Sequence, residues 1–245
     1  MKNPVLIDVY DLNTASNVCN QTLREVIKLP KVSMAHVIMD KGNVSLLHKH
    51  ATMSEVYFIL DGEGILYYGD KALKVEKGAY IVLSPNTTHK LKNIGDCDLK
   101  HLVLAIPPFV PEDVEVLEDM DEKDIIPQKF TYDKPPMTSL DGATIYELIS
   151  EGDRKELDVA LAVGILPAGR KAVPHYHKIS DEVYYIISGE GKARVGDIGY
   201  SIKKGSVIYV PRDMVHALEN TDRNEDLHVL CLSSPSYTDG DFILE

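Results

Sequence analysis

Lysine and arginine are scarce in this chain of 245 residues: 26 against 38 aspartates and glutamates, for a net charge of −12. A nucleic acid or an anionic membrane surface calls for clustered cations, so neither is expected as a partner. Long apolar runs are also missing, and none approaches the roughly 20 residues that span a bilayer. Asp8 and Asp11 interrupt the stretch that a signal peptide would keep apolar, so the expected location is the cytoplasm. The three cysteines, Cys19, Cys97 and Cys231, lie far apart with no CxxC pair. Neither a disulfide framework nor thiolate metal ligation is expected from them. Long helical periodicity is absent, and GEGILYYG lacks both the spacing and the following helix of a nucleotide-binding loop. What is present is ordinary for a soluble protein, 44% hydrophobic and 26% charged residues, enough for one large domain or two compact ones.

Against that background one stretch occurs twice. HKHATMSEVYFILDGEG starts at His48, and HYHKISDEVYYIISGEG starts 127 residues later at His175. The same spacing carries Gly42 to Gly169, Gly78 to Gly205, His89 to His216 and Asn93 to Asn220 without a gap. Each copy reads as short β-branched and aromatic runs punctuated by glycine turns, with Gly69-Asp70 and Gly196-Asp197 at hairpin positions. Such regular punctuation predicts a sandwich or barrel, with only short helices. The expected organisation is an extension over 1–30, a first domain over 31–106, an acidic, proline-containing connector over 107–140 and a second domain over 141–245. The extension would add strands to the barrels or cross to the other domain. A brief helical turn is expected near Asp121–Ile125.

Alternate residues of a strand share a face, so His48 and His50 point one way while Lys49 points the other. Glu55 follows across a short turn, and His89 arrives from a distant strand. Three imidazoles and one carboxylate meeting in a barrel suit a divalent transition metal with two positions left open. His175, His177, Glu182 and His216 repeat the set. One metal per domain is therefore expected, with Fe, Mn, Ni, Co, Cu and Zn indistinguishable by ligand type.

GNVSLLHKHATMSEVYFILDG and GRKAVPHYHKISDEVYYIISG both resemble the first motif of the cupin superfamily, G(x5)HxH(x4)E(x6)G. GSVIYVPRDMVHALEN resembles its second motif, with Asp213 where glycine is usual. GAYIVLSPNTTHKLKN does so with the proline moved by one residue. The resemblance implies an all-β bicupin, two tandem jelly-roll barrels that pack as cupin dimers do, with a possible homo-oligomer beyond that.

Beyond the ligands, Tyr57 and Tyr184 share the glutamates' strand face and either line the cavities or fill the cores. His101 and His228, also 127 residues apart, are candidate proton shuttles or structural residues. Arg170, Lys171, Lys178 and Arg212 surround the second set in sequence and would favour an anionic substrate if they rim its mouth. The resemblance covers many chemistries. The first expectation is a dioxygenase-type oxidoreductase acting on a small organic acid or enol. The alternatives are a metal-dependent isomerase or lyase on a sugar acid or keto acid, and a binding protein without catalysis.

Overall fold

The computed structural model describes residues 3–119, 124–126, 134–238 and 240–245. The chain divides into two compact units, Leu12–Thr131 and a second that joins Met1–Asp11 to Tyr132–Glu245. Each unit is a two-sheet β-barrel, as the repeat and the resemblance imply. The first is closed by two six-stranded sheets, the second by a seven-stranded and a five-stranded sheet. Helix among the described residues is confined to three 3-10 turns, Val9–Asp11, Pro111–Asp113 and Lys155–Leu157.

In both units the duplicated strand is central. Ser54–Asp61 pairs with Leu99–Ile106 on one side and Tyr80–Leu83 on the other. Asp181–Ser188 pairs with Leu227–Ser234 and Ser206–Val210. These strands are buried almost throughout, which explains their unbroken apolar character. Inward residues such as Leu66, Leu91 and Leu99 fill the first barrel, while Val195, Ile208 and Leu227 fill the second. The motif's closing glycines are required by the backbone. Gly62 has φ +85°, and a Cβ there would lie 2.7 Å from the Asp98 carbonyl; for Gly189 the values are +86° and 2.8 Å, against Asp226.

The register shows more repetition than a constant spacing of 127 captures. Ala15–Ser16 and Thr22–Lys28 form a hairpin, and Met137–Thr138 with Thr144–Ile149 forms its counterpart 122 residues later. The final strands stand 128 apart: Leu99 faces Met39, and Leu227 faces Leu166. The step from 122 to 127 falls in the longer turn with its 3-10 helix, Lys155–Leu157. The extra residue lies after Asn220, in TDRNED against IGDCD.

The extension adds strands to both units, and part of the connector is strand as well. Val5–Asp8 adds to the second unit through Ser206–Val210, whereas Thr22–Lys28 pairs with Ser33–Met39 in the first. Val114–Val116 pairs with His48–His50, and Phe242–Leu244 pairs with His175–His177 in the same way. The first part of the connector is therefore barrel wall. Ile125–Ile126 is strand, pairing with Lys71–Glu76, where a helical turn was expected. Most of that expected turn lies outside the described residues.

Candidate metal centres

Both HxH segments are short strands whose histidines face inward, with His89 opposite His48 and His216 opposite His175. The turn before the third histidine holds these strands. Asn86 (φ 63°) and Asp213 (φ 61°) both adopt the left-handed conformation. Their N–H groups donate to the carbonyls of His50 and His177, each at 2.6 Å. Asparagine and aspartate tolerate this conformation better than other non-glycine residues, so Asp213 can stand where a cupin usually has glycine.

The imidazoles are oriented from behind. Nδ1 of His48 and of His89 donates to the carbonyls of Leu46 and Thr87, at 2.8 and 2.9 Å. His175 and His216 do the same toward Val173 and Met214, at 3.1 and 2.9 Å. With Nδ1 so engaged, each Nε2 presents a lone pair to the interior. There Glu55 Oε2 lies 3.1 Å from His89 Nε2 and 3.4 Å from His50 Nε2. In the second barrel Glu182 Oε2 lies 3.0 Å from His216 Nε2 and 3.3 Å from His177 Nε2. All eight side chains are buried, and within each set one ligand atom per residue lies within 4.8 Å of the others.

These residues fit a divalent cation. Lone-pair acceptors converge without enough protons between them, and His50 and His177 have no hydrogen-bond partner on either ring nitrogen. A buried polar group in that state is costly, and a cation at the convergence relieves it. Three imidazoles and a carboxylate suit a transition metal rather than calcium or magnesium. The surroundings already hold His48, His175 and Glu55 in ligating form, whereas at His177 burial is outweighed by Glu182 and Asp241, which raise it. Burial, reinforced by the neighbouring His89 and His216, lowers His48 and His175 to about 4. Burial alone would raise the Glu55 carboxyl, but the imidazoles of His50 and His89 beside it outweigh burial and hold the group well below the carboxylate range.

Each set lies in the wall of a mainly apolar cavity, of about 510 Å³ in the first barrel and about 340 Å³ in the second. Tyr57 and Tyr184 line these cavities and are buried. Tyr184 donates its hydroxyl to Glu182 Oε2 at 2.6 Å and lies 3.0 Å from His216 Nε2. Burial and the adjacent glutamate push both phenols well above their usual range, so they stay protonated.

His101 and His228 part company. The one-residue step to a spacing of 128 makes Val229 the counterpart of His101, and a one-residue slip sends a side chain to the opposite face. His101 is fully buried, with its ring 5.1 Å from that of Tyr57, and neither nitrogen is hydrogen-bonded. His228 is half-buried and lines a surface depression with Glu190 and Asp226, away from the cluster. Arg212 does not line the second cavity. Its Nε donates to Asp181 at 3.1 Å from a largely exposed position. Arg170, Lys171 and Lys178 are also exposed and outside the lining, and Lys171 pairs with Glu219 at 3.0 Å. None of these four cations belongs to the described lining of the second cavity.

Other residues do reach the sites. Asp113 and Asp241, 128 residues apart, each cap the loop between HxH and the glutamate, accepting the N–H groups of Thr52 and Met53 or of Ile179 and Ser180. Cys19 and Asp141, 122 residues apart, occupy the same turn of the two hairpins and line the two cavities. Both pairs escape a search at a single spacing. Burial pushes the Cys19 thiol up to about 12 and Cys231 higher than its ordinary value, so neither is a thiolate nucleophile.

A cupin-domain family model matches residues 35–105 and 162–233. Uncharacterized protein MJ1618 of Methanocaldococcus jannaschii is 42% identical over 93 residues, 38% of this chain and 74% of that protein. An oxalate-binding protein of Thermotoga maritima is 31% identical over 72 residues, 29% of this chain and 60% of that protein. Among solved structures, one concerned with the Mn(II) centres of Bacillus subtilis oxalate decarboxylase matches with a TM-score of 0.74 at 14% identity, covering 100% of this chain and 80% of that one. At that identity the likeness concerns fold.

Proposed function

The chain belongs to the cupin family, in its tandem two-barrel form, and from that premise we propose that it is a metal-dependent enzyme for a small organic acid or enol that chelates through oxygen. One observation supports this above the others: both barrels keep a complete three-histidine, one-glutamate set facing a largely apolar cavity. Two complete sets, with two imidazoles of each oriented by backbone carbonyls, support catalysis over binding alone. When bound, a transition metal would supply Lewis acidity and, if redox-active, a route for electrons.

The chain's own groups supply the rest. His48, His50, Glu55 and His89, and their counterparts His175, His177, Glu182 and His216, would hold the metal and leave the cavity side open to substrate. The apolar walls, including Val103 and Phe109 in the first barrel, exclude water and strengthen every polar contact inside. Tyr184 holds a proton on its Oη, 2.6 Å from Glu182, and can lend it to a substrate oxygen or carbon and take it back.

Within this reading the dioxygenase-type reaction stands first, because a largely apolar cavity beside the ligand set suits a small apolar gas. The second reading is a lyase reaction on the same acids. It draws on the protonated Tyr184 beside the cluster, since a carbanion left by decarboxylation needs a proton donor. The test starts with elemental mass spectrometry of wild type and a His48→Ala/His175→Ala variant, expected to show about two redox-active equivalents and none. Screening small acids and enols on an oxygen electrode follows. Substrate-dependent oxygen uptake supports the first reading, carbon dioxide release under argon supports the second, and a metal-replete protein that turns over nothing overturns both.

A further inference from the structure

The two cavities differ in charge at one turn. In the second barrel, Asp141 stands at the hairpin position where the first barrel has Cys19. The equivalence is anchored by hydrogen bonds: Val173 N–H donates to the Asp141 carbonyl at 2.9 Å, and Leu46 N–H donates to that of Cys19 at 3.0 Å. Asp141 lines the cavity with its side chain only 12% exposed, and its Oδ2 lies 4.0 Å from His175 Nδ1. Its Oδ1 accepts the Ala143 N–H at 3.1 Å. Among the described residues no donor is hydrogen-bonded to Oδ2, because His175 Nδ1 is already given to Val173. Two further carboxylates line this cavity, Glu182 of the ligand set and Glu147, which pairs with Lys134 at 3.5 Å. None of the described lining residues is a lysine or arginine. The first cavity has Lys28 as well as Glu25 in its wall.

We infer that the second barrel selects chelating ligands whose far end donates a hydrogen bond, a hydroxyl or an ammonium, to Asp141 Oδ2, and rejects ligands with a second carboxylate. Asp141 is the specificity-determining residue, and a ligand that turns a second carboxylate toward it is disfavoured there by charge. The inference deepens the proposed function and rests on it. A carboxylate placed against Asp141 in an apolar cavity meets uncompensated like charge, whereas a hydroxyl finds an acceptor with a vacant lone pair. The remaining lining suits a flat apolar body: Phe242 stacks on His175 with ring centroids 4.1 Å apart at 17°, where the first barrel has Val114.

Two hydroxypyranones with the same bidentate head test this. Kojic acid carries a hydroxymethyl tail, and comenic acid carries a carboxylate in its place. Calorimetric titration of the full-length Mn(II)-loaded protein should give two classes of site. One of them should bind kojic acid at least about tenfold more tightly than comenic acid. Asp141→Asn keeps an oxygen for the Ala143 N–H and should bring that ratio to within about twofold. Cys19→Asp should install the preference in the other class. Equal affinities in wild type, or a ratio untouched by Asp141→Asn, overturn the inference. Failure of both compounds to bind protein that holds its metal overturns the chelator reading beneath it, and the inference with it.

Discussion

The first and second barrels share their ligands and the backbone that holds them, and differ in several of the side chains around them. Both place three imidazoles and a glutamate on corresponding strands and orient two of the three imidazoles through backbone carbonyls at matching positions. Around that set, Cys19 corresponds to Asp141, Ala105 to Ser233, His101 to Val229, and Val114 to Phe242. Ser233 Oγ approaches Glu182 Oε1 at 3.4 Å, a contact that alanine cannot make. The support behind the middle histidine differs too. Asp241, 1% exposed, sits 3.5 Å from His177 Nδ1. Asp113 is half-exposed and lies beyond ion-pair reach of His50. The contrast separates two demands on a duplicated fold: holding a cation, which both barrels keep, and shaping what meets it, which each does in its own way.

The sharpest way to probe that contrast is the carboxylate behind the histidine. Asp241→Ala should weaken metal binding in the second barrel by about 10–100-fold, the usual effect of losing a group that orients a ligand. Asp113→Ala should cost the first barrel chiefly the loop contacts, about 1–3 kcal/mol of stability. Competition with a metal-chelating dye, together with thermal melts, measures both. Equal losses of affinity would show the two supports to be equivalent.

His101→Val, which copies the second barrel's Val229, tests the next difference. Burial, with His36 adding to it, lowers His101 to about 3, against 6.5 when unfolded. The unfolded chain therefore binds the extra proton first as pH falls, and the folded state loses stability progressively below pH 6.5. The variant removes this loss and should gain on wild type by about 1.4 kcal/mol per pH unit between 6.5 and 4.5. Metal-free protein melted across that range reports the gain. A constant difference across pH would contradict it.

The smallest effect concerns charge at the surface. Arg212→Ala breaks an ion pair with Asp181 whose arginine side is 47% exposed, so stability should fall by about 1 kcal/mol or less. Affinity for anionic ligands should stay within twofold of wild type by calorimetry. A larger loss would return Arg212 to the mouth of the second site.

The ligands and the barrels were legible because strand alternation and a duplicated spacing both speak through local sequence. HxH can face one way only in a strand, and a glutamate five residues on can reach the same interior. What stayed hidden depends on register. The 122-residue and 128-residue spacings are broken by turns whose length no local preference dictates. Asp141, Asp241 and the strand Val114–Val116 were therefore invisible to a search at 127. His101 and His228 show the cost directly: one inserted residue turned an apparent pair into one core histidine and one at the surface. Arg212 misled for another reason, since sequence proximity to a ligand does not state which way a long side chain leaves the backbone.

The strand Val5–Asp8 has a consequence for synthesis. Its hydrogen-bond partner, Ser206–Val210, is made only after the whole of Leu12–Thr131. At about 5–20 residues per second, the nascent chain carries this strand with its edge open for roughly 10–40 s before the partner emerges. Leu12–Thr131 can close in the meantime. An unpaired strand end is a site of mispairing between neighbouring chains on a polysome. Asp8 stands at its end, a charge that discourages such pairing and is met by Lys203 at 3.1 Å only when the last part of the protein arrives.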